Sequence, residues 1–273
     1  NTIDNVIRIA ILYGKLFNRI IWNITDIKNC NFDEVYEKLK PFGVKVQLVC
    51  RNLSDDRSIY HPGWNGHALG ENNSIKYVNN LIYLLNLSSA NNIVLIRSDQ
   101  FINLNLIDYN IDSKIIYVPR IRKNHVESGD TYIVSSRTLL LDKLEFAQKN
   151  NRGLDDNIHR IFWKAQAYVN RSQYGVPLIY FQLNYPYNVG IWSHKVSQYI
   201  QSEFLRPMSF EIYKSVEWRG SNYSEIHLKE MKNNYFFMEN YPSNIPVSPP
   251  LVKLHVKDIL MCMRELFKKL FNN

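Results

Sequence analysis

Short apolar runs alternate with polar segments along the chain, and one of them leads directly into charged residues. Residues 93–96 read Ile-Val-Leu-Ile and follow the polar segment Ser-Ser-Ala-Asn-Asn. A run this short and this rich in β-branched residues favours a strand buried on both faces over a helix. Arg97 and Asp99 come next, two residues apart. An extended chain places both side chains on one face, at the carboxyl end of the predicted strand.

Further apolar runs predict the rest of an α/β framework. Strands are expected at residues 6–13 (ending at Gly14 and Lys15), 44–50 and 115–118, and within 129–136. Apolar residues at helical spacing predict helices at 32–39, 74–87 and 138–149. Since the chain would then open as β-α-β, we expect a mostly parallel, Rossmann-type sheet flanked by helices.

The carboxyl-terminal part gives a weaker pattern. Residues 176–183 predict a strand, 210–218 a short strand or a helix, and 223–241 a partly helical, aromatic segment. Residues 251–271 carry an apolar helical stripe interleaved with Lys and Arg. This basic amphipathic helix has two readings: it packs on the domain's own core, or it lies on an anionic membrane face.

The polar segment 51–73 is long for a loop inside a domain, and such loops are usually functional or disordered. It contains Trp64 between His61 and His67. Metal binding by the two histidines is one reading, although their spacing matches no recognised site. The other reading is a mobile loop over the substrate, with Trp64 as a stacking face.

Charge and cysteine usage narrow the class of partner. The net charge of +8 and the pI near 9.2 favour phosphate, nucleotide, nucleic acid or an anionic membrane face. Cys30, Cys50 and Cys262 lie far apart without a CxxC, which indicates reduced thiols in an intracellular, cytoplasmic protein. No apolar run approaches the roughly eighteen residues of a membrane span. The first residue is Asn1 and not Met, so a fragment of a longer protein is one interpretation.

Several charged residues are candidates for chemistry, each with a structural alternative. Arg97 and Asp99 suit a charged substrate or a metal-bound phosphate at a sheet edge, or simply form a surface ion pair. Lys15 and Arg19 suit a diphosphate, or belong to a solvated loop; no P-loop and no GxGxxG is present. The pair Asp155-Asp156 either supplies a base or occupies the first turn of a helix.

One succession of motifs resembles a known family. The strand ending Arg97-Ser98-Asp99 is followed by Tyr-Val-Pro at 117–119, by Asp-Thr-Tyr-Ile-Val-Ser at 130–135, and then by a helix. Over residues 6–149 this is similar to small nucleotide-sugar-dependent glycosyltransferases of the GT-A fold, found in microbes and large DNA viruses. That family commonly has Pro where Ser98 stands and Asn where Gly129 stands, and this chain has no Asp-x-Asp.

The resemblance implies a divalent metal, Mn²⁺ or Mg²⁺, with Asp99 as its ligand, and a nucleotide held by the segment after the first strand. The implied donor site then comprises Tyr13, Gly14, Lys15, Arg19 and Arg97. A basic residue of 120–123 is an alternative diphosphate partner. The base that activates an acceptor hydroxyl would be Asp130, Asp155 or Asp156.

The expected activity is therefore transfer of a sugar from a nucleotide-diphosphate sugar to a hydroxyl acceptor, which is a glycan or is linked to lipid or protein. Residues 1–248 would form the catalytic domain and residues 249–273 the C-terminal helix, with peripheral membrane contact through that helix. The alternative is a non-enzymatic nucleic-acid-binding module, since a basic chain rich in Tyr and Phe suits stacking and phosphate contacts.

Overall fold

The computed structural model describes residues 2–23, 32–43, 45–49, 59–61, 70–72, 74–123, 128–150 and 204–242. In these ranges the helices are α1 (Thr2–Tyr13), α2 (Phe32–Leu39), α3 (Ser74–Leu87), α4 (Arg137–Asn150), α5 (Phe210–Lys214) and α6 (Glu225–Asn234). The strands are β1 (Ile20–Asn23), β2 (Val46–Val49), β3 (Ile59–His61), β4 (Gly70–Asn72), β5 (Asn92–Ile96), β6 (Gln100–Phe101), β7 (Ile116–Val118), β8 (Ile121–Arg122), β9 (Tyr132–Ser136), β10 (Leu205–Pro207), β11 (Glu217–Trp218), β12 (Ser221–Asn222) and β13 (Tyr235–Phe236).

A four-stranded mixed sheet with the order β10-β7-β9-β5 forms the centre of the fold. β9 pairs antiparallel with both β5 and β7, and β7 pairs parallel with β10. The first four residues of β9 are buried, as expected for a strand covered on both faces. The expectation of a mostly parallel sheet is therefore wrong for this sheet, and the fold class that holds is mixed α/β.

β5 is the strand predicted from residues 93–96, and its environment differs from the prediction. Within the described residues it lies at an edge of the four-stranded sheet. Its residues 93–96 are only partly buried. An edge strand lacks a neighbouring strand on one side, which leaves its residues more exposed than those of a central strand. The apolar run therefore predicted the strand correctly but not its degree of burial.

The amino-terminal segment differs most from the prediction. Residues 6–13 belong to helix α1 and not to a strand. The buried residues Val6, Ile9, Ala10 and Tyr13 recur at intervals of three and four, whereas Ile11 and Leu12 are exposed. This is the period of a helix with one apolar face, and the mixture of Ile, Val and Leu concealed it.

A β-α-β unit does exist, but it begins one element later than predicted. β1 and β2 pair in parallel and α2 connects them. One small core joins this unit to α1, and it contains Val6, Ala10, Trp22, Val35 and Leu39. The parallel pairing with a helical crossover is the arrangement that the sequence predicted, with 20–23 in place of 6–13 as its first strand.

The other predicted elements in the described ranges are confirmed. α2, α3, α4, β2, β7 and β9 lie at or within two residues of the expected positions. Segment 210–218 contains both alternatives, because α5 is followed by β11. Segment 223–241 is partly helical, as expected, through α6. In 51–73 the described residues form the antiparallel pair β3–β4.

Several predictions fall on residues that the structure does not describe. These are the strand at 176–183, the C-terminal helix at 251–271, the three cysteines, Trp64 and His67. In the part of the chain that is described, we find no helix with the length and apolar character needed to cross a membrane.

Candidate functional site

The turn after β5 carries the two charged residues that the sequence singled out. The Gln100 backbone N–H donates to the Arg97 carbonyl at 3.1 Å, which reverses the chain into β6. The Arg97 N–H donates to the Thr131 carbonyl at 3.2 Å, which ties the turn to the start of β9. Asp130 precedes that strand, so the sheet brings residues 97, 99 and 130 together.

Arg97 binds both of these carboxylates. Its Nε and Nη2 donate to Asp99 Oδ1 and Oδ2, each at 3.1 Å. Its Nη1 lies 4.0 Å from Asp130 Oδ2, and the Asp130 side chain is only 7% exposed. Burial alone would lower the pKa of Arg97, but the hydrogen bonds and charge of Asp99, helped by the charge of Asp130, raise it. The guanidinium therefore stays charged and neutralises a carboxylate pair.

A hairpin from the carboxyl-terminal half completes this charged cluster. β11 and β12 are joined by Arg219 and Gly220, whose φ angles are +50° and +86°. Positive φ at both central residues is what a type I′ hairpin turn requires. The Arg219 N–H donates to the Asp99 carbonyl at 3.0 Å, and its Nε lies 3.7 Å from Asp99 Oδ2.

Trp218 covers the cluster from the same hairpin. The Arg97 guanidinium carbon lies 4.9 Å from the centroid of the Trp218 ring. We call Arg97, Asp99, Asp130, Trp218 and Arg219 the charged cluster. Sequence analysis did not single out Trp218 or Arg219, because their partners lie more than a hundred residues away; the Arg-Gly pair between two short strands was the only local signal.

A cavity of about 530 Å³ adjoins this cluster. Residues 16–22 line one side and residues 92–98 line another, so the cavity runs between β1 and β5. Both Arg19 and Arg97 are among its lining residues, and so is Tyr109, whose pKa burial raises to about 12. The volume falls in the range of ordinary small-ligand pockets.

The structure thus brings together two of the five predicted donor-site residues. Arg19 also donates from Nη2 to the Leu87 carbonyl at 2.6 Å. Tyr13 is buried, stacks on Phe101 with centroids 6.1 Å apart, and donates from its hydroxyl to Asn103 Oδ1 at 3.2 Å. Gly14 is buried and Lys15 is exposed, and the cavity lining includes neither of these nor Tyr13.

Of the three predicted bases, Asp130 lies in the charged cluster, whereas Asp155 and Asp156 are outside the described residues. The partly buried Tyr77 donates from its hydroxyl to the Asp130 carbonyl at 3.3 Å. Burial, and to a lesser degree the charge of Asp130, raise the pKa of Tyr77. Among the described residues no three His, Cys, Asp or Glu side chains are grouped as ligands for a metal ion.

Comparison with known proteins adds no family. The chain matches no protein-family model, no curated protein and no solved structure.

Proposed function

We propose that this protein is a glycosyltransferase that uses a nucleotide-diphosphate sugar. The observation that carries the proposal is a nucleotide-sized cavity lined by Arg19 and Arg97, next to the partly buried Asp99 and the buried Asp130. A nucleoside diphosphate needs both features: a partly apolar cleft for the base and ribose, and cations for the phosphates. The basic pI of 9.2 agrees with an anionic substrate.

The arginines would carry the binding of the diphosphate. Arg97 lines the cavity, and Asp99 contacts both Arg97 and Arg219. A guanidinium offers paired N–H donors to phosphate oxygens. Arg219 is 72% exposed at its side chain and is free to turn toward a ligand. Trp218, above Arg97, would shield the diphosphate from water and strengthen these interactions.

A divalent cation fits this site in ligand chemistry. Asp99 would supply carboxylate oxygens, which Mn²⁺ and Mg²⁺ prefer, and one protein carboxylate suffices when phosphate oxygens and water complete the shell. Asp99 would share its oxygens between Arg97 and the metal. When bound, the cation would neutralise the charge of the departing diphosphate.

The acceptor hydroxyl requires a base, for which Asp130, Asp155 and Asp156 are our candidates. Asp130 is the described one, and its carboxylate lies beside Arg97 at the amino end of β9. In the proposed complex this buried carboxylate would lie near the diphosphate, within reach of an arriving acceptor hydroxyl.

Thermal unfolding with a nucleotide panel tests the proposal. The chain is heated with and without Mn²⁺ in the presence of UDP, GDP, CMP and their sugars. Binding to the folded state at about 100 times Kd adds roughly 2.7 kcal/mol of stability, so Tm rises with the matching nucleotide. We expect the rise to depend on Mn²⁺ and to be lost in Asp99→Asn.

Glu217→Gln is the matched control. Glu217 also accepts two hydrogen bonds from one arginine, Arg8, at 2.6 and 3.1 Å, but it lies outside the charged cluster. This variant should keep the nucleotide-dependent rise. Folded chain that shows no rise with any nucleotide, with or without metal, would overturn the proposal.

A further inference from the structure

A third arginine lies near the charged cluster and has no carboxylate partner among the described residues. Arg120, between β7 and β8, is half-buried, and its guanidinium carbon lies 5.1 Å from the Tyr213 ring centroid and 4.8 Å from that of Tyr235. Its Nη1 donates to the Tyr213 hydroxyl at 3.2 Å. Within the described residues we find no carboxylate in ion-pair contact with it. Each Arg of the charged cluster, in contrast, contacts Asp99.

Four buried polar atoms have no hydrogen-bond partner among the described residues. They are Arg120 Nε, the Tyr132 hydroxyl, and both amide atoms of Gln100. Tyr132 and Gln100 are each 0% exposed. The Gly129 N–H donates to the Arg120 carbonyl at 2.9 Å, three residues before Tyr132 at the start of β9. Burial raises the pKa of Tyr132 well above its usual value, and the charge of Arg120 opposes this. Unsatisfied groups of this kind cost stability unless a ligand uses them.

A ring platform stands beside Arg120. The Tyr223 ring stacks on Tyr213 with centroids 5.2 Å apart and lies 4.6 Å from the His227 ring, while the Tyr213 hydroxyl is 3.1 Å from His227 Nε2. Tyr223 and His227 are partly exposed. Burial raises the pKa of Tyr223, whereas the charges of Arg120 and Arg97 lower it. Tyr213 therefore joins Arg120 and Tyr223, since it contacts both Arg120 and the Tyr223 ring.

We propose that Arg120, with the Tyr132 hydroxyl, binds an anionic group on the acceptor sugar, whose ring packs on Tyr223. The anion is a carboxylate or a phosphate ester, since a guanidinium beside a hydroxyl donor suits both. The acceptor role rests on the proposed transferase function, but the anion site does not.

Calorimetric titration of the full chain without nucleotide tests the site. The probes are methyl glucuronide, glucose 6-phosphate, neutral methyl glucoside and inorganic phosphate. We expect one charged sugar to bind and the neutral glucoside not to bind. Binding of methyl glucuronide would identify the anion as a carboxylate, and binding of glucose 6-phosphate would identify it as a phosphate ester. Three outcomes would each overturn the proposal. The neutral glucoside binds with the same affinity as a charged sugar, or neither charged sugar binds. In the third outcome, inorganic phosphate binds with the same affinity as the sugars, which would indicate an adventitious ion only.

Variants separate a binding role of Arg120 from a structural one. Arg120→Gln should weaken the charged sugar about tenfold to a hundredfold, as for loss of a hydrogen bond to a charged group, and Arg120→Lys should weaken it less. Arg206→Gln is the matched control, because Arg206 is also half-buried and lies 5.8 Å from a tyrosine ring centroid, that of Tyr241. Equal affinity in wild type, Arg120→Gln and Arg120→Lys would overturn the proposal.

Tyr132→Phe gives a readout that a packing role would not. Removing an unpartnered buried hydroxyl should leave Tm unchanged or higher, while the affinity for the charged sugar falls. A variant with lower Tm and unchanged affinity would show that the hydroxyl is structural and would overturn its place in the site.

The nucleotide panel, repeated on Arg120→Gln, distinguishes this inference from the proposed function. A retained nucleotide-dependent rise in Tm, with the charged sugar lost, supports both. Loss of the nucleotide rise would instead assign Arg120 to the donor diphosphate and overturn the inference. If the charged sugar binds through Arg120 but no nucleotide binds, the anion site stands and the transferase proposal fails alone.

Discussion

At the scale of single residues, Gly129 explains one departure from the glycosyltransferase pattern. A Cβ at this position would lie 2.9 Å from both Cβ and Cγ of Pro119, which is closer than real contacts allow. The Gly129 N–H also donates to the Arg120 carbonyl at 2.9 Å, which fixes the backbone against that loop. An Asn, which the resemblance would favour, has no room here.

We therefore expect Gly129→Ala to destabilise the protein by about 1–3 kcal/mol, the usual cost of overpacking. Urea unfolding measures the change. Since the clash involves the Pro119 ring, Pro119→Ala should relieve part of it, and the double variant should be more stable than the sum of the two single effects predicts. Additive effects in this cycle would contradict the clash with Pro119.

The sequence predicts the part of the site whose residues are close together in the chain. It placed Arg97 and Asp99 on one face because two residues of an extended chain suffice for that inference, and the structure joins them by two hydrogen bonds. It selected Asp130 only as one of three carboxylates. Trp218, Arg219 and Tyr223 could not be found, because nothing in their own neighbourhood indicates which distant strand β11 will join.

At the scale of elements, α1 shows how an apolar run of eight residues can mislead. Strand and helix periods both fit when nearly every residue is apolar, so the exposed positions decide. Leu12 is 56% exposed and Ile11 37%, whereas Ala10 is 0% exposed. Two adjacent exposed residues following two adjacent buried ones cannot occur on a regular strand with one buried face.

Aspartate substitutions along α1 test this assignment. Ile9→Asp and Ala10→Asp should each cost several kcal/mol, because an unpaired carboxylate would be buried. Ile11→Asp and Leu12→Asp should stay within roughly 1 kcal/mol of wild type, as for surface changes. Thermal unfolding of the four variants gives the pattern; alternation of sensitive and tolerant positions would indicate a strand instead.

The direction of the strands could not be predicted from the sequence for a related reason. Helices α2, α3 and α4 are predicted by the spacing of their own apolar residues. The direction of β9 relative to β5 depends instead on the short strands between them. β6, β7 and β8 have two or three residues each, too few to show a period.

At the scale of the whole molecule, buried tyrosines link stability to alkaline pH. Burial raises the pKa values of Tyr132 and Tyr213, which are 0% and 1% exposed, above the 10.0 of an unfolded chain. A folded-state pKa above the unfolded one means that the stabilisation is complete below pH 10 and is lost as pH rises through the folded values.

We expect the urea midpoint to fall above pH 10, with the absorbance of tyrosinate from these residues appearing only as the protein unfolds. Tyr132→Phe should reduce the slope of stability against pH, because one proton fewer is released on unfolding. Complete tyrosine ionisation with an apparent pKa near 10 in the folded protein would contradict the burial of these hydroxyls.

The left-handed backbone of Arg219 has a consequence for how this chain can change over time. An Asn or Gly at this position would relieve a strain of about 1–2 kcal/mol, since both adopt positive φ more readily than Arg. Selection for stability alone would therefore remove the arginine, and with it one of the cations on Asp99. Descendants that keep Arg or Lys at this position despite the strain would be those in which the charged cluster still functions. Asn or Gly at this position would indicate descendants in which the charged cluster no longer has a function.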